Sequence, residues 1–583
     1  MVRITIIAKA GVRVSTFLII FAMHLHGTDY RVSSAGQVST AMAAAIPGDT
    51  LTMVSGTWTN ANISFAGFGT SIAPILLRAE TAGGVVLTGT STLRISGKHL
   101  IVDGLLFING SSPSGDVIEF RGSNGESDSC RLTNCTVRDY NPADSTKDYK
   151  WVSLYGTHNR VDHCYFKGKK HSGTTLVVWL SSKANFHQID HNYFALRPVL
   201  YGWNGGETIR IGTSDWSMYD SFTTVEYNYF EECNGEIETI SNKSCGNIYR
   251  YNTFVSCQGT LTLRHGNRCI VEGNFFFGNH APNSGGVRII GEDHQVFNNY
   301  ISGTDGSSMK TALTLVNGVP NSPLDRYFQV KRAIVAFNTF VDNRYTVNIG
   351  GGKDTELSLP PLDCIIADNI IWGSHSPLVT FTDTPVNMLW SGNIFYGASV
   401  GMSTPAGNTV ANPQLIRGAD SLWRLGGTSP AIGAAAGSYP MVVDDMDGQD
   451  RTTPMDVGAD QYSALSIRRK PLTRADVGPL TTVTSVRHET GWQPDRSSLL
   501  LFNNYPNPFN PTTVISFHLS TPDFVEMKIF DLLGKEVETL VHRPVNAGRH
   551  EVKWNASGVG SGVYFCRLQC GEEVRTTKVV LLR

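Results

Sequence analysis

Along the middle of the chain one short phrase keeps returning: an apolar residue, two free positions, Asn, one free position, then an aromatic or apolar residue. It reads Val225-Glu-Tyr-Asn228-Tyr-Phe230, Tyr249-Arg-Tyr-Asn252-Thr-Phe254, Val271-Glu-Gly-Asn274-Phe-Phe276 and Val335-Ala-Phe-Asn338-Thr-Phe340, with looser copies around Asn134, Cys164, Asn192, Asn299, Asn369 and Asn393. Asn228, Asn252, Asn274 and Asn299 are separated by 24, 22 and 25 residues. Between the copies lie short alternating runs rich in β-branched and aromatic residues, broken by Gly and Asn, and no long stretch has the 3.6-residue period of a helix. A repeat of that length with several short strands predicts an all-β fold, a right-handed parallel β-helix whose coils stack ~4.8 Å apart. The recurring Asn then forms a ladder, sitting at a bend that favours left-handed backbone and bonding through its amide to the Asn above and below. Cys245, Cys257 and Cys269 are expected to stack inside as small apolar groups.

The repeat fades after Tyr396, which sets the β-helix at 28–462. Its last part, from Ser429 to Asp460, reads as irregular closing coils over the open end of the solenoid. Residues 463–496 turn polar and lose periodicity, as a linker does. Within 497–583 alternating runs at Val514–Leu519, Val525–Phe530, His550–Trp554 and Val563–Leu568 predict a small antiparallel β-sandwich. At the other end Arg3, Lys9 and Arg13 precede an apolar run from Phe17 to Leu25, too short to span a bilayer, so 1–27 reads as a secretory signal.

The 583 residues are 41% hydrophobic and 17% charged, which excludes global disorder. With 48 Lys+Arg against 50 Asp+Glu the net charge of −2 provides no overall basic field for nucleic acid, so an anionic ligand needs a local cluster of cations. The 10 cysteines are scattered over hundreds of residues and read as buried thiols rather than a disulfide framework. Cys566 and Cys570 share one predicted strand, too far apart for a disulfide.

Candidate chemistry gathers in Asn234-Gly-Glu236-Ile-Glu238-Thr-Ile-Ser-Asn-Lys243 and Leu261-Thr-Leu-Arg264-His265-Gly266. On a strand Glu236 and Glu238 would face one side with Ile237 turned inward. Two such carboxylates need a shared proton, neighbouring cations or a metal, and an all-oxygen set suits Ca²⁺ better than Zn²⁺. Asn204 could add an amide oxygen from an adjoining coil. Lys243 and Arg264, 21 residues apart, fall about one coil from each other. A solvated strand with alternating Glu is the plain alternative.

The order of these phrases, with Ala45-Ile-Pro-Gly-Asp49, Val102-Asp-Gly-Leu105, Asn204-Gly-Gly-Glu-Thr-Ile-Arg210 and Gly286-Val-Arg288-Ile-Ile-Gly-Glu292-Asp-His294, resembles polysaccharide lyase family 6, the β-helical alginate lyases and chondroitinase B. That resemblance implies Asn204, Glu236 and Glu238 as Ca²⁺ ligands, Lys243 as Brønsted base and Arg264 as Brønsted acid. It also implies His265, Arg288, Arg210 and Glu292 as substrate-binding residues, and β-elimination on a uronate polysaccharide, alginate ahead of chondroitin or dermatan sulfate. The tail, with Tyr505-Pro-Asn-Pro-Phe-Asn-Pro511, Ser561-Gly-Val-Tyr564 and the closing Lys578 to Arg583, resembles the sorting domain of the type IX secretion system, which implies that machinery as a partner and a secreted or cell-surface location. The rival readings are a glycoside hydrolase using the two glutamates, a noncatalytic glycan-binding surface solenoid and, for the tail, an immunoglobulin-like binding module.

Overall fold

The computed structural model describes residues 27–480 apart from 201–204 and 438, and residues 499–582 apart from 502–508, 520–522, 532–534, 547 and 572. Nearly all of the expected export signal, Asn204 and much of the expected linker therefore lie outside the described residues.

The predicted solenoid forms from three 14-stranded sheets, one strand of each contributed by successive coils. The first runs from Asp29–Val32 to Leu389–Ser391, and the third from Gly56–Thr59 to Thr409–Val410. The second sheet carries the candidate site on five consecutive strands: β1 (Ile209–Gly212), β2 (Glu238–Lys243), β3 (Gly259–His265), β4 (Ser284–Ile289) and β5 (Leu313–Val316). Register is held from inside by identical side chains stacking. The rings of Phe194, Phe230, Phe254 and Phe276 lie parallel at centroid spacings of 5.0, 4.6 and 4.5 Å. A one-residue slip would turn such a column out to solvent.

The Asn ladder is continuous from Asn192 through Asn228, Asn252, Asn274, Asn299, Asn338, Asn369 and Asn393 to Asn408, each Nδ2 donating to the next Oδ1. Two details differ from expectation. The left-handed residue is the one before each ladder Asn, such as Tyr227 (φ 51°), Tyr251 (φ 59°) and Phe337 (φ 55°), which frees the Asn to use its whole amide for the stack. In the coil of Asn134 the ladder position is held by Cys135, whose carbonyl accepts from Tyr165 as the ladder carbonyls do, while Asn134 is itself left-handed (φ 52°). All ten cysteines are buried thiols, and none is in a disulfide.

Among the described residues a single α-helix, α1 (Ala35–Ala44), lies near the start of the solenoid. Ser34 caps it by accepting from the Gln37 amide, and Val38 and Ala41 are buried. No described helix is long and apolar enough to cross a membrane.

The segment from Leu415 to Tyr462 does not simply cover the far end. Beginning with the hairpin of Leu415–Arg417 and Trp423–Leu425, it lies along the flank. Leu422, Met446 and Ala459 pack on Phe275, Tyr300 and Val341. Residues 463–480, expected as a free linker, continue down the same side. Arg469 stacks 3.7 Å over Tyr251, Leu472 N–H donates to Thr253 Oγ1, Arg474 pairs with Glu231, and Gly478 N–H donates to the His191 carbonyl. Polar composition here reflects hydrogen bonding to an outer surface, not solvation of a loose chain.

The C-terminal unit is the predicted antiparallel sandwich. One sheet holds Leu499–Leu501, Thr512–Leu519 and Gly548–Asn555; the other holds Glu536–Val545, Asp523–Phe530, Gly562–Cys570 and Glu573–Leu581. Its core includes Phe517, Met527, Trp554 and Leu568.

Candidate active site

Alternation along β1 to β4 sends Ile209, Ile211, Ile240, Leu261, Leu263, Val287 and Ile289 into the core. The residues between them form an outward column, Arg210 beside Ser241, Thr262 and Arg288. The pairing of β2 with β3 is irregular at two places. Asn242 faces Leu263 but Lys243 faces His265, so Arg264 is an extra residue; Glu238 faces Thr260 but Ile240 faces Leu261, so Thr239 is another. Bulges of this kind re-aim side chains.

Three carboxylates meet beside these bulges. One oxygen each of Glu207, Glu236 and Glu238 lies within 4.8 Å of the other two. Glu236 and Glu238 do converge, but not by strand alternation. Glu236 precedes β2 in a bend, and Ile237, expected inward, is 37% exposed. Glu238 is ion-paired to the buried Arg288 and lies 3.8 Å from Arg264 Nε. Glu207 Oε2 and Glu236 Oε2 are buried without a hydrogen-bond partner among the described residues. Burial, then the charges of Glu207 and Glu238, push the Glu236 carboxyl up to about 8. Orphaned carboxylate oxygens facing one small space, with no sulfur or imidazole among them, fit a hard divalent cation. A second acidic trio, Asp445, Asp447 and Asp460, is filled from within: Arg424 binds Asp447, and backbone N–H groups bind Asp445 and Asp460.

Lys243, at the end of β2, is half-buried and makes no hydrogen bond or ion pair to the described residues. Beside it His265 is buried, and burial followed by Arg264 and Lys243 pushes its imidazole down to about 2, so it is neutral. Its Nε2 is 3.3 Å from Ser214 Oγ, and Nδ1 has no partner among the described residues. Arg264 reaches toward a loop at 317–330, its guanidinium 3.9 Å from the Tyr327 ring centre and 3.4 Å from the carbonyl oxygens of Asp325 and Arg326. Arg326 ties that loop to Glu356. Two coils earlier Arg210 lies 5.4 Å from the Trp179 ring, which stacks on Tyr155.

Residues 32–411 match the family model for chondroitinase B, well over half of the chain. The chain belongs to the chondroitinase B family. Among solved structures it is similar to the PL6 family alginate lyase AlyGC, at 36% identity and TM-score 0.68 over 78% of this chain. The chain spans 59% of the length of that lyase. A mannuronic acid specific polysaccharide family 6 lyase from human gut microbiota is 32% identical over 66% of this chain and 92% of its own, with TM-score 0.59. A polysaccharide lyase of the same family from Pseudopedobacter saltans is 26% identical over 77% of this chain and 99% of its own, with TM-score 0.57. Residues 503–582 match the secretion system C-terminal sorting domain. No curated protein matches.

In this member of the chondroitinase B family, the fold brings together Glu236, Glu238, Lys243, Arg264, His265 and Arg288, with Arg210 on the same outer face. Glu292 stands apart. Its carboxylate is taken by Lys331 and Arg332 of the next coil, and none of its hydrogen bonds or ion pairs reaches the acid cluster. Asn204 lies outside the described residues. Two residues at the site carry no signal of their own in the sequence pattern. Glu207 lies 29 residues before Glu236, about one coil, so the repeat length could have paired them. Tyr327 comes from an inserted loop for which the repeat carries no signal.

Proposed function

We propose that the chain is a secreted polysaccharide lyase that cleaves alginate by β-elimination. One observation carries the reading: Lys243, Arg264 and the Glu207, Glu236 and Glu238 carboxylates, contributed by successive coils, converge on one outer face. Elimination must remove the C5 proton of a uronate whose own carboxylate opposes further negative charge. Ca²⁺, held by Glu236 and Glu238 with Glu207 at hand, and by Asn204 as the family resemblance implies, would neutralise that carboxylate and make the proton removable.

Lys243, with its amine uncommitted to any described partner, takes the C5 proton in its unprotonated form. As that C–H bond breaks, its electron pair forms the C4–C5 double bond and the C4–O bond to the departing sugar breaks. Arg264 stabilises the departing oxygen; a guanidinium rarely gives up its proton, so the proton that oxygen needs comes from water or from Lys243. Arg210 on the outer face holds carboxylate groups of the polymer, while the neutral His265 and Arg288, buried and paired with Glu238, line the floor of the site. The alginate and mannuronate lyases it is similar to support alginate over a sulfated glycan. The tail supports export through the type IX system, ending secreted or on the cell surface, with the sorting domain removed or used for attachment.

The purified protein should generate ultraviolet-absorbing unsaturated ends from mannuronate-containing alginate. Chelation should abolish this, Ca²⁺ should restore it, and Lys243→Ala should lose nearly all turnover while still binding polymer. Saturated products would favour a hydrolase, binding without cleavage a noncatalytic solenoid, and unsaturated ends from dermatan sulfate alone would overturn the substrate. Deleting 497–583 should block release from the cell; unchanged secretion would overturn the role of the tail.

A further inference from the structure

Beneath the acid cluster, inside the solenoid, lies a cation that the proposed reaction does not use. Arg197 ends the strand Tyr193–Arg197 of the third sheet and is 2% exposed. The preceding Leu196 is left-handed (φ 52°) and faces out, which turns Arg197 inward. A buried guanidinium is costly unless its donors are filled. Here three of the four acceptors are backbone carbonyls. Nε donates to the Gly206 carbonyl at 2.5 Å, Nη2 to the carbonyls of Gly173 at 2.7 Å and Gly205 at 3.4 Å, and Nη1 to Thr175 Oγ1 at 3.4 Å. None of these partners is a carboxylate.

These contacts fall on the backbone that carries the cluster. Gly206 precedes Glu207, and Gly235 precedes Glu236. The two glycines pack backbone against backbone in adjacent coils, so tightly that a Cβ on Gly235 would strike both the Gly206 carbonyl oxygen and Arg197 Nε. A Cβ on Gly206 would strike the Gly235 carbonyl. Neither glycine has a positive φ, so close approach, not backbone freedom, requires them. Glu207 and Glu236 can share one ion-sized space only while this approach holds. Arg197 clamps one side of it from below.

We propose that Arg197 is the positioning residue of the carboxylate cluster, acting from the solenoid interior by holding the Gly205–Gly206 backbone against Gly235. The proposal rests on the reading of Glu207, Glu236 and Glu238 as a divalent-cation site. Its charge works against cation binding and its hydrogen bonds work for it, so the sign of a mutant effect decides the matter. Lysine keeps the charge but cannot fill several carbonyls from one planar fork.

The experiment is a calorimetric titration of the full chain with Ca²⁺ alone, on wild type, Arg197→Met, Arg197→Lys and Gly235→Ala, alongside melting curves of the chelated proteins. Affinity for Ca²⁺ should fall about 10- to 100-fold in all three variants, the range typical of residues that orient metal ligands. Polymer cleavage by the variants should recover toward the wild-type kcat at saturating Ca²⁺, which a general loss of folded protein would not permit. If Arg197→Met does not fold, Arg197→Lys and Gly235→Ala decide. Unchanged or tighter Ca²⁺ binding by the folded variants overturns the positioning role. A wild-type protein that takes up no Ca²⁺ overturns the cation site itself and the proposal with it.

Discussion

The guanidinium of Arg264 lies 3.9 Å from the centre of the Tyr327 ring, 63 residues further along the chain. Arg264 is the extra residue of a bulge, and its carboxylate neighbour Glu238 is already engaged by Arg288. The ring and the loop carbonyls of Asp325 and Arg326 therefore set where its charge sits. A cation over an aromatic face is worth ~0.5–2 kcal/mol.

Removing that face should cost turnover. Tyr327→Ala is expected to lower kcat about tenfold, since ~1.4 kcal/mol is one factor of ten, while Tyr327→Phe stays within about twofold. Steady-state kinetics on alginate checks this. Equal losses in both variants would assign the effect to the hydroxyl instead of the ring.

Ladder residues should be among the costliest polar side chains to truncate. Asn252 Nδ2 donates to the carbonyls of Val225 and Arg250 and to Asn274 Oδ1, and its Oδ1 accepts from Asn228. Asn252→Ala leaves several buried groups unpaired at ~1–3 kcal/mol each, so a loss of about 3 kcal/mol or more is expected in chemical denaturation. A loss below ~1 kcal/mol would mean that water or backbone shifts replace the ladder.

Stability should also carry a pH signature from the flank. Burial pushes the Asp368 carboxyl up to about 7; its Oδ1 accepts from Ala436 N–H and Oδ2 has no partner among the described residues. The folded form binds the proton more tightly than the unfolded chain, whose value is near 3.8. The stabilising contribution of this group is thus complete below pH ~4 and lost as pH rises through about 7. Asp368→Asn should melt above wild type at pH 8 and alongside it at pH 4. The same offset at both pH values would exclude titration as its cause.

The contacts of residues 463–480 predict where the stable solenoid unit ends. Chains ending at Leu480 should melt with the intact solenoid. Chains ending at Tyr462 lose the Arg474–Glu231 pair, the Arg469–Tyr251 stack and the Leu472 and Gly478 hydrogen bonds, and should melt several degrees lower. Identical melting of the two would make the segment a passive tether.

The repeat made the solenoid legible from sequence because a parallel β-helix is nearly one-dimensional: each coil meets only its neighbours, so spacing along the chain becomes spacing in space. Asn228, Asn252 and Asn274 could be stacked from their numbers alone, and Lys243 could be placed near Arg264. What needed the tertiary structure was everything that breaks the period. The two bulges between β2 and β3 depend on pairing geometry that residue types do not record. The loop bearing Tyr327 and the docked segment 463–480 have no repeat to count, and their partners lie beyond the adjacent coil, two coils back for Tyr327 and many for 463–480. Arg197 reads as an ordinary surface arginine until the left-handed Leu196 turns it inward, and Glu292, written beside the site in sequence, is drawn off by Lys331 and Arg332 at a corner of the coil. Local pattern determines which residues stack; only the folded chain decides which way a side chain at a bend or bulge is aimed, because that is set by close contacts between coils.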